Sequence, residues 1–152
     1  MSTINGLPAH VLLVHVIVVF VPLTALALVL CAVWPAARQR LIWPAVGLAV
    51  ITMALTPVTI AAGETFEKRF GPSEALQTHT DLGGTMNYFA VPLLVAAAAL
   101  LVVFLREQRG RPLARVVVWV IAVLTIVASV AATVQTYRVG DSGSRAVWGQ
   151  MT

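Results

Sequence analysis

Apolar residues fill four long stretches of this chain, and charge is confined to the segments between them. No Lys, Arg, Asp or Glu precedes Arg38, and further charge-free runs cover 41–63, 82–105 and 116–137. A helix of about 20 residues crosses a hydrocarbon core ~30 Å thick. Each run is therefore long enough to cross once and too short to cross twice. The predicted spans lie near 11–34, 41–62, 86–105 and 116–136. Lipid requires every backbone N–H and C=O to be bonded internally, and the period-two alternation of a membrane strand is absent, so the spans are predicted to be helices. Short connections favour antiparallel neighbours. The expected fold is all-α: an integral membrane four-helix up-down bundle forming one domain over 1–152. Ala25, Ala27, the run 96–99, Ala128, Ala131 and Ala132 are the small residues expected along its seams. Pro22, Pro57 and Pro92 fall inside spans, where each removes a helical hydrogen bond.

Composition agrees with this reading. Hydrophobic residues make up 59% of the 152 and charged residues only 11%. A soluble domain carries roughly 25% charged residues to face water, so a soluble enzyme, a disordered chain and a disulfide scaffold are all excluded. The net charge of +4 comes from only ten Lys and Arg, which read as topology signals and not as a nucleic-acid surface. Arg38, Arg40, Arg106, Arg109, Arg111 and Arg115 lie in the two short loops at span ends, opposed there by Glu107 alone. Lys68, Arg69, Arg138 and Arg145 lie on the other side, diluted by Glu64, Glu67, Glu74, Asp81 and Asp141. Basic residues in short loops mark the cytoplasmic side. Both termini and the segment 63–85 are thus expected outside. Positions 1–33 contain no basic residue, so the first span is expected to be retained and not cleaved as a signal peptide. Cys31 is the single cysteine and is expected to be a small packing residue.

A short internal repeat runs through the chain. Val21-Pro22-Leu23 recurs as Val91-Pro92-Leu93, Gln39-Arg40 as Gln108-Arg109, and Trp43 and Trp119 open the following spans. Two pseudo-repeated hairpins would relate the first pair of spans to the second by an axis along the membrane normal.

The chain has three histidines, His10, His15 and His79, all on the predicted outer side. His10 lies 24 residues before Trp34 and His79 lies 26 before Leu105, or ~36 and ~39 Å of helix, so both reach the same height. His15 is deeper and on a different helix face. An ionisable residue inside a span is a functional candidate by default. Neutral imidazole binds iron, copper and zinc, and two facing helices of a bundle are a usual seat for a cofactor. His10 and His79 are thus the candidate metal ligands, with His15 in reserve or lining the pocket. Two axial imidazoles suit haem b, whose six-coordinate iron has no open position and serves electron transfer. Each histidine also has a plain reading at a lipid–water boundary, bonding to water, a headgroup or a loop carbonyl.

Gly6-Leu7-Pro8-Ala9-His10-Val11-Leu12-Leu13-Val14-His15 resembles the opening of a bacterial membrane family known as domain of unknown function 2231. His79-Thr80-Asp81-Leu82-Gly83 resembles the start of its third span, and Tyr137-Arg138-Val139-Gly140-Asp141-Ser142-Gly143 resembles its ending. The resemblance covers essentially the whole chain and implies four spans in a bacterial plasma membrane. Leu7 and Asp141 stand where the family often has histidine, and Val11 where it has proline. Some relatives carry a Rieske-type iron–sulfur domain, which implies a redox setting; the lone Cys31 supplies no such cluster.

Gly140-Asp141-Ser142-Gly143 is a turn signal, and Asp141 is a candidate to orient a histidine N–H there. No P-loop, dinucleotide fingerprint, HExxH or nucleophile elbow occurs, so nothing points to an enzyme. Two functional readings stand. One is a haem- or metal-binding electron carrier near the outer face, serving an external redox protein or a respiratory complex. The other is a cofactor-free accessory or scaffold subunit of such a complex. The bilayer is the partner in both.

Overall fold

The computed structural model describes residues 3–4, 7–70 and 74–148. Gly6 of the opening motif lies outside them, as do the side chains of Lys68, Arg69 and Trp148. Two short strands, β1 (Thr3–Ile4) and β2 (Leu7–Pro8), pair antiparallel ahead of the helices. Then follow α1 (Ala9–Val33), α2 (Pro35–Phe70), α3 (Glu74–Gly84), α4 (Asn87–Gln108) and α5 (Arg115–Trp148). Four stretches are long and apolar enough to cross a membrane: Leu12–Val33, Pro35–Thr65, Glu74–Gln108 and Arg115–Arg145. The all-helical membrane bundle read from the hydropathy pattern is what the structure shows.

The connections are tight for local reasons. Trp34 alone separates α1 from α2, and Pro35 opens α2 at the position where its missing N–H costs nothing. Gly110 (φ +64°) ends α4, with Arg111 N–H donating to the Arg106 carbonyl, a left-handed glycine cap. The third crossing is broken. Thr85 N–H bonds the Leu82 carbonyl and Met86 N–H the Gly83 carbonyl, three-residue steps that tighten the chain between α3 and α4. Gln135 on α5 clasps this break through the Leu82 carbonyl (3.2 Å) and Thr85 Oγ1 (2.8 Å). Positions 140–143, expected to turn, instead continue α5 as helix. Helical hydrogen bonding against the neighbouring helices outweighs the turn preference of two glycines.

The helices form a ring. α1 packs on α2 and α5, α4 packs on the same two, and α1 and α4 meet across the diagonal. The interior holds Val21, Leu28, Leu93, Leu100 and the small Ala45, Ala49, Ala97 and Ala132. Of the small residues expected at seams, Ala25, Ala96, Ala97 and Ala132 are buried, whereas Ala98 faces outward. Hydroxyls line the interior as well: Thr24, Thr52, Thr56, Thr125, Ser129 and Thr136 are all buried. Thr24 and Thr52 bond each other across α1 and α2 at 3.2 Å. Most of the others turn back on their own helix, as Thr56 does to the Thr52 carbonyl at 2.7 Å.

Burial repeats between the halves. Positions 41–50 and 121–130 show the same succession of buried, half-buried and exposed residues. Thr52 and Thr56 of α2 continue the match as Ala132 and Thr136 of α5, each 80 positions on and all buried. Ile17, Val21, Thr24, Leu28 and Cys31 of α1 match Met86, Ala90, Leu93, Ala97 and Leu100, each 69 positions on and all buried. His10 and His79 obey the same offset of 69, as do Gln39-Arg40 and Gln108-Arg109. Pro22 and Pro92 are 70 apart, so the Val-Pro-Leu recurrence is one position out of register with the packing. The hairpin α1–α2 and the unit α3–α4–α5 thus share a burial pattern at offsets of 69 and 80 positions.

Candidate functional site

The first turn of α1 carries His10 and the middle of α3 carries His79, and the ring brings these two segments face to face across a diagonal. The imidazole centroids are 6.4 Å apart with the planes at 74°. Each ring is held by the helix beside it. His10 Nδ1 lies 3.3 Å from the Thr59 carbonyl on α2. His79 Nδ1 lies 3.1 Å from the Val139 carbonyl and 3.1 Å from Ser142 Oγ, both on α5. A carbonyl only accepts, so Nδ1 carries the proton in both rings and Nε2 bears the lone pair. The two anchoring carbonyls, Thr59 and Val139, stand 80 positions apart, the offset that relates α2 to α5.

Glycine permits both close approaches. A Cβ on Gly63 would stand 2.9 Å from His10 Cε1, and one on Gly143 would stand 3.0 Å from His79 Cε1. These glycines are again 80 apart, one helical turn beyond their anchoring carbonyls. Each histidine therefore lies on a flat patch made by a carbonyl and a missing side chain.

The rings line a cavity of about 60 Å³ with Val14, Ile17, Thr56, Ile60, Met86 and Thr136 among its walls. Val18 and Thr136 are shared with an open groove of about 480 Å³ between α1 and α5. His10 precedes the span Leu12–Val33. Burial lowers its pKa; the Thr59 carbonyl opposes that shift, and the neighbouring His79 adds to it. The ring is thus neutral at pH 7, the state in which imidazole binds a metal.

The geometry resembles a metal ligand pair in two respects. A ligating histidine usually donates its other N–H to a carbonyl, carboxylate or water. Two imidazoles on opposite sides of one ion, with metal–nitrogen bonds of ~2.0 Å and about 1.2 Å from nitrogen to ring centre, would have centroids about 6.4 Å apart. Among the described residues no third His, Cys, Asp or Glu joins them. A bare zinc ion needs four ligands and would be two short. A porphyrin supplies four nitrogens and asks the protein for two.

The other expected residues lie elsewhere. His15 is on an exposed face of α1 and is not among the cavity walls. Asp141 pairs with Arg145 at 3.0 Å, and the side chain at His79 is that of the next residue, Ser142. Thr59, Gly63, Val139, Ser142 and Gly143 were not singled out as site residues from the sequence. The usable signal was the seven-residue spacing from Thr56 to Gly63 and from Thr136 to Gly143, which recurs 80 positions on.

At the opposite end the same offset produces a second cross-axis pair. Arg38 and Glu107 are 69 positions apart, and Arg38 Nη1 lies 3.6 Å from Glu107 Oε1. The Arg38 side chain is 3% exposed and that of Glu107 33%. Like charges at these related positions would repel; opposite charges join the halves.

A membrane-spanning helical bundle with a carbonyl-anchored histidine pair at one end is the class that fold and site define. The family model described as "Predicted membrane protein (DUF2231)" matches residues 6–152, and the chain belongs to that family. No curated protein and no solved structure matches it.

Proposed function

We propose that this membrane protein carries single electrons on a b-type haem held between His10 and His79 near the outer face of a bacterial plasma membrane. The observation that carries the reading is the 6.4 Å separation of two rings whose Nδ1 atoms both meet carbonyl oxygens. With Nδ1 donating to a carbonyl, Nε2 is the nitrogen through which each ring would bind a metal. His10 and His79 would hold the haem, which would supply one-electron redox chemistry when bound. The α1–α5 groove shares Val18 and Thr136 with the cavity between the rings. The electron donor and acceptor are an external redox protein or a respiratory complex. The arginine-rich ends of α2 and α4 favour a cytoplasmic position for the two short loops, which puts the histidine end outside. A C-terminal reporter active only in the cytoplasm would reverse that orientation.

The test is optical. Protein purified from haem-replete cells is expected to show a stoichiometric, redox-active Soret band. His10→Ala and His79→Ala are expected to lose it or convert it to a five-coordinate spectrum, and His15→Ala to keep it. A second reading, a cofactor-free accessory or scaffold subunit, is favoured by the small volume of the cavity between the rings, about 60 Å³. Colourless folded protein that co-purifies with a large complex would establish that alternative.

A further inference from the structure

His10 and His79 occupy equivalent positions, but the helices that hold them are not equivalent. α5 presents two oxygens to His79 Nδ1, the Val139 carbonyl and Ser142 Oγ, each at 3.1 Å. The position on α2 that corresponds to Ser142, 80 residues earlier, is Ala62, whose methyl group has nothing to accept with. The Ser142 hydroxyl is itself oriented. Its proton goes to the Val139 carbonyl at 2.9 Å, so its lone pairs, and not its proton, face the imidazole N–H. Gly143, the next residue, gives the His79 ring room to reach that oxygen.

We infer that Ser142 is a positioning residue for His79, fixing its plane and strengthening its Nε2. The inference rests on the haem reading for its redox consequence. An Nδ1–H shared with two acceptors leaves more electron density on the ring. A more basic Nε2 stabilises the ferric over the ferrous state and holds the iron longer. The carbonyl alone, left behind by removal of the hydroxyl, still sets the tautomer but grips less.

Ser142→Ala is therefore expected to retain the Soret band, to raise the midpoint potential, and to release haem about tenfold faster, the lower end of what loss of such a partner costs a metal site. Ser142→Thr, which keeps the hydroxyl, is expected to restore both values. Ala62→Ser, which adds the hydroxyl beside His10, is expected to lower the potential. A haem-loaded Ser142→Ala protein with unchanged potential and unchanged haem release overturns the inference. A second measurement needs no cofactor. In protein labelled at the histidine ring nitrogens, the His79 Nδ1–H resonance is expected to move upfield in Ser142→Ala as its hydrogen bond weakens. An unmoved His79 signal overturns the inference even where the wild-type protein proves colourless. Colourless protein with the expected shift defeats the haem reading alone.

Discussion

Gly63→Ala places a methyl group where the His10 ring already lies. The new Cβ would be 2.9 Å from Cε1 and 3.3 Å from Nδ1, several tenths of an ångström inside ordinary contact. The ring has to retreat, and the bond it gives up is the one from Nδ1 to the Thr59 carbonyl, already long at 3.3 Å. Overpacking of this kind costs about 1–3 kcal/mol, and the weakened hydrogen bond adds about 1 kcal/mol. Removal of a helical glycine returns about 1 kcal/mol. The net expectation is a loss of about 1–3 kcal/mol. Gly143→Ala is expected to behave alike, because its Cβ would meet His79 at 3.0 Å. Gly140→Ala is the control: it is helical, close in sequence, and its Cβ meets nothing within 4 Å. It should be neutral or stabilising by up to about 1 kcal/mol. Reversible unfolding of the three variants in mixed micelles, followed by circular dichroism, measures the difference. Equal stability of Gly63→Ala and Gly140→Ala would show that the glycines are not there to admit the rings.

Two further outcomes follow from the charged groups. Glu107→Gln leaves the buried Arg38 guanidinium without its carboxylate, and the partial exposure of Glu107 limits the cost to about 1–2 kcal/mol; Arg38→Met removes the buried charge itself and should cost less. A double-mutant cycle read by the same unfolding assay checks this, and an Arg38→Met protein less stable than Glu107→Gln would refute it. The His10 pKa is lowered on folding, so its contribution to stability is fully present above the unfolded value of about 6.5 and is lost as pH falls through the lowered folded value. Unfolding measured across that window should show the loss in the wild-type protein and a shallower dependence in His10→Asn; identical slopes would count against a buried neutral ring.

Hydropathy carried most of the fold. The charge-free runs gave the four crossings, because removing a charged side chain from water is costly enough to keep it out of the lipid core. It did not show that the third crossing breaks at Thr85 and Met86, since the break carries no charge and is held from α5 by Gln135. Helix rise gave the shared height of His10 and His79. It could not say that Asp141 turns to Arg145 while Ser142 turns to His79, because neighbouring residues on a helix point about 100° apart and only packing chooses between them.

Position along the membrane normal is a property of sequence, because it depends only on counting residues between charged ends. On that basis the chain alone specified its four crossings and the common level of His10 and His79. Which faces turn inward was left to the tertiary structure. Lipid is as apolar as the bundle interior, so these helices carry no strong amphipathic pattern to distinguish one face from another. Close packing of the helices supplied that choice, setting His10 against Thr59 and Gly63, His79 against Val139 and Gly143, and leaving His15 on the exposed face.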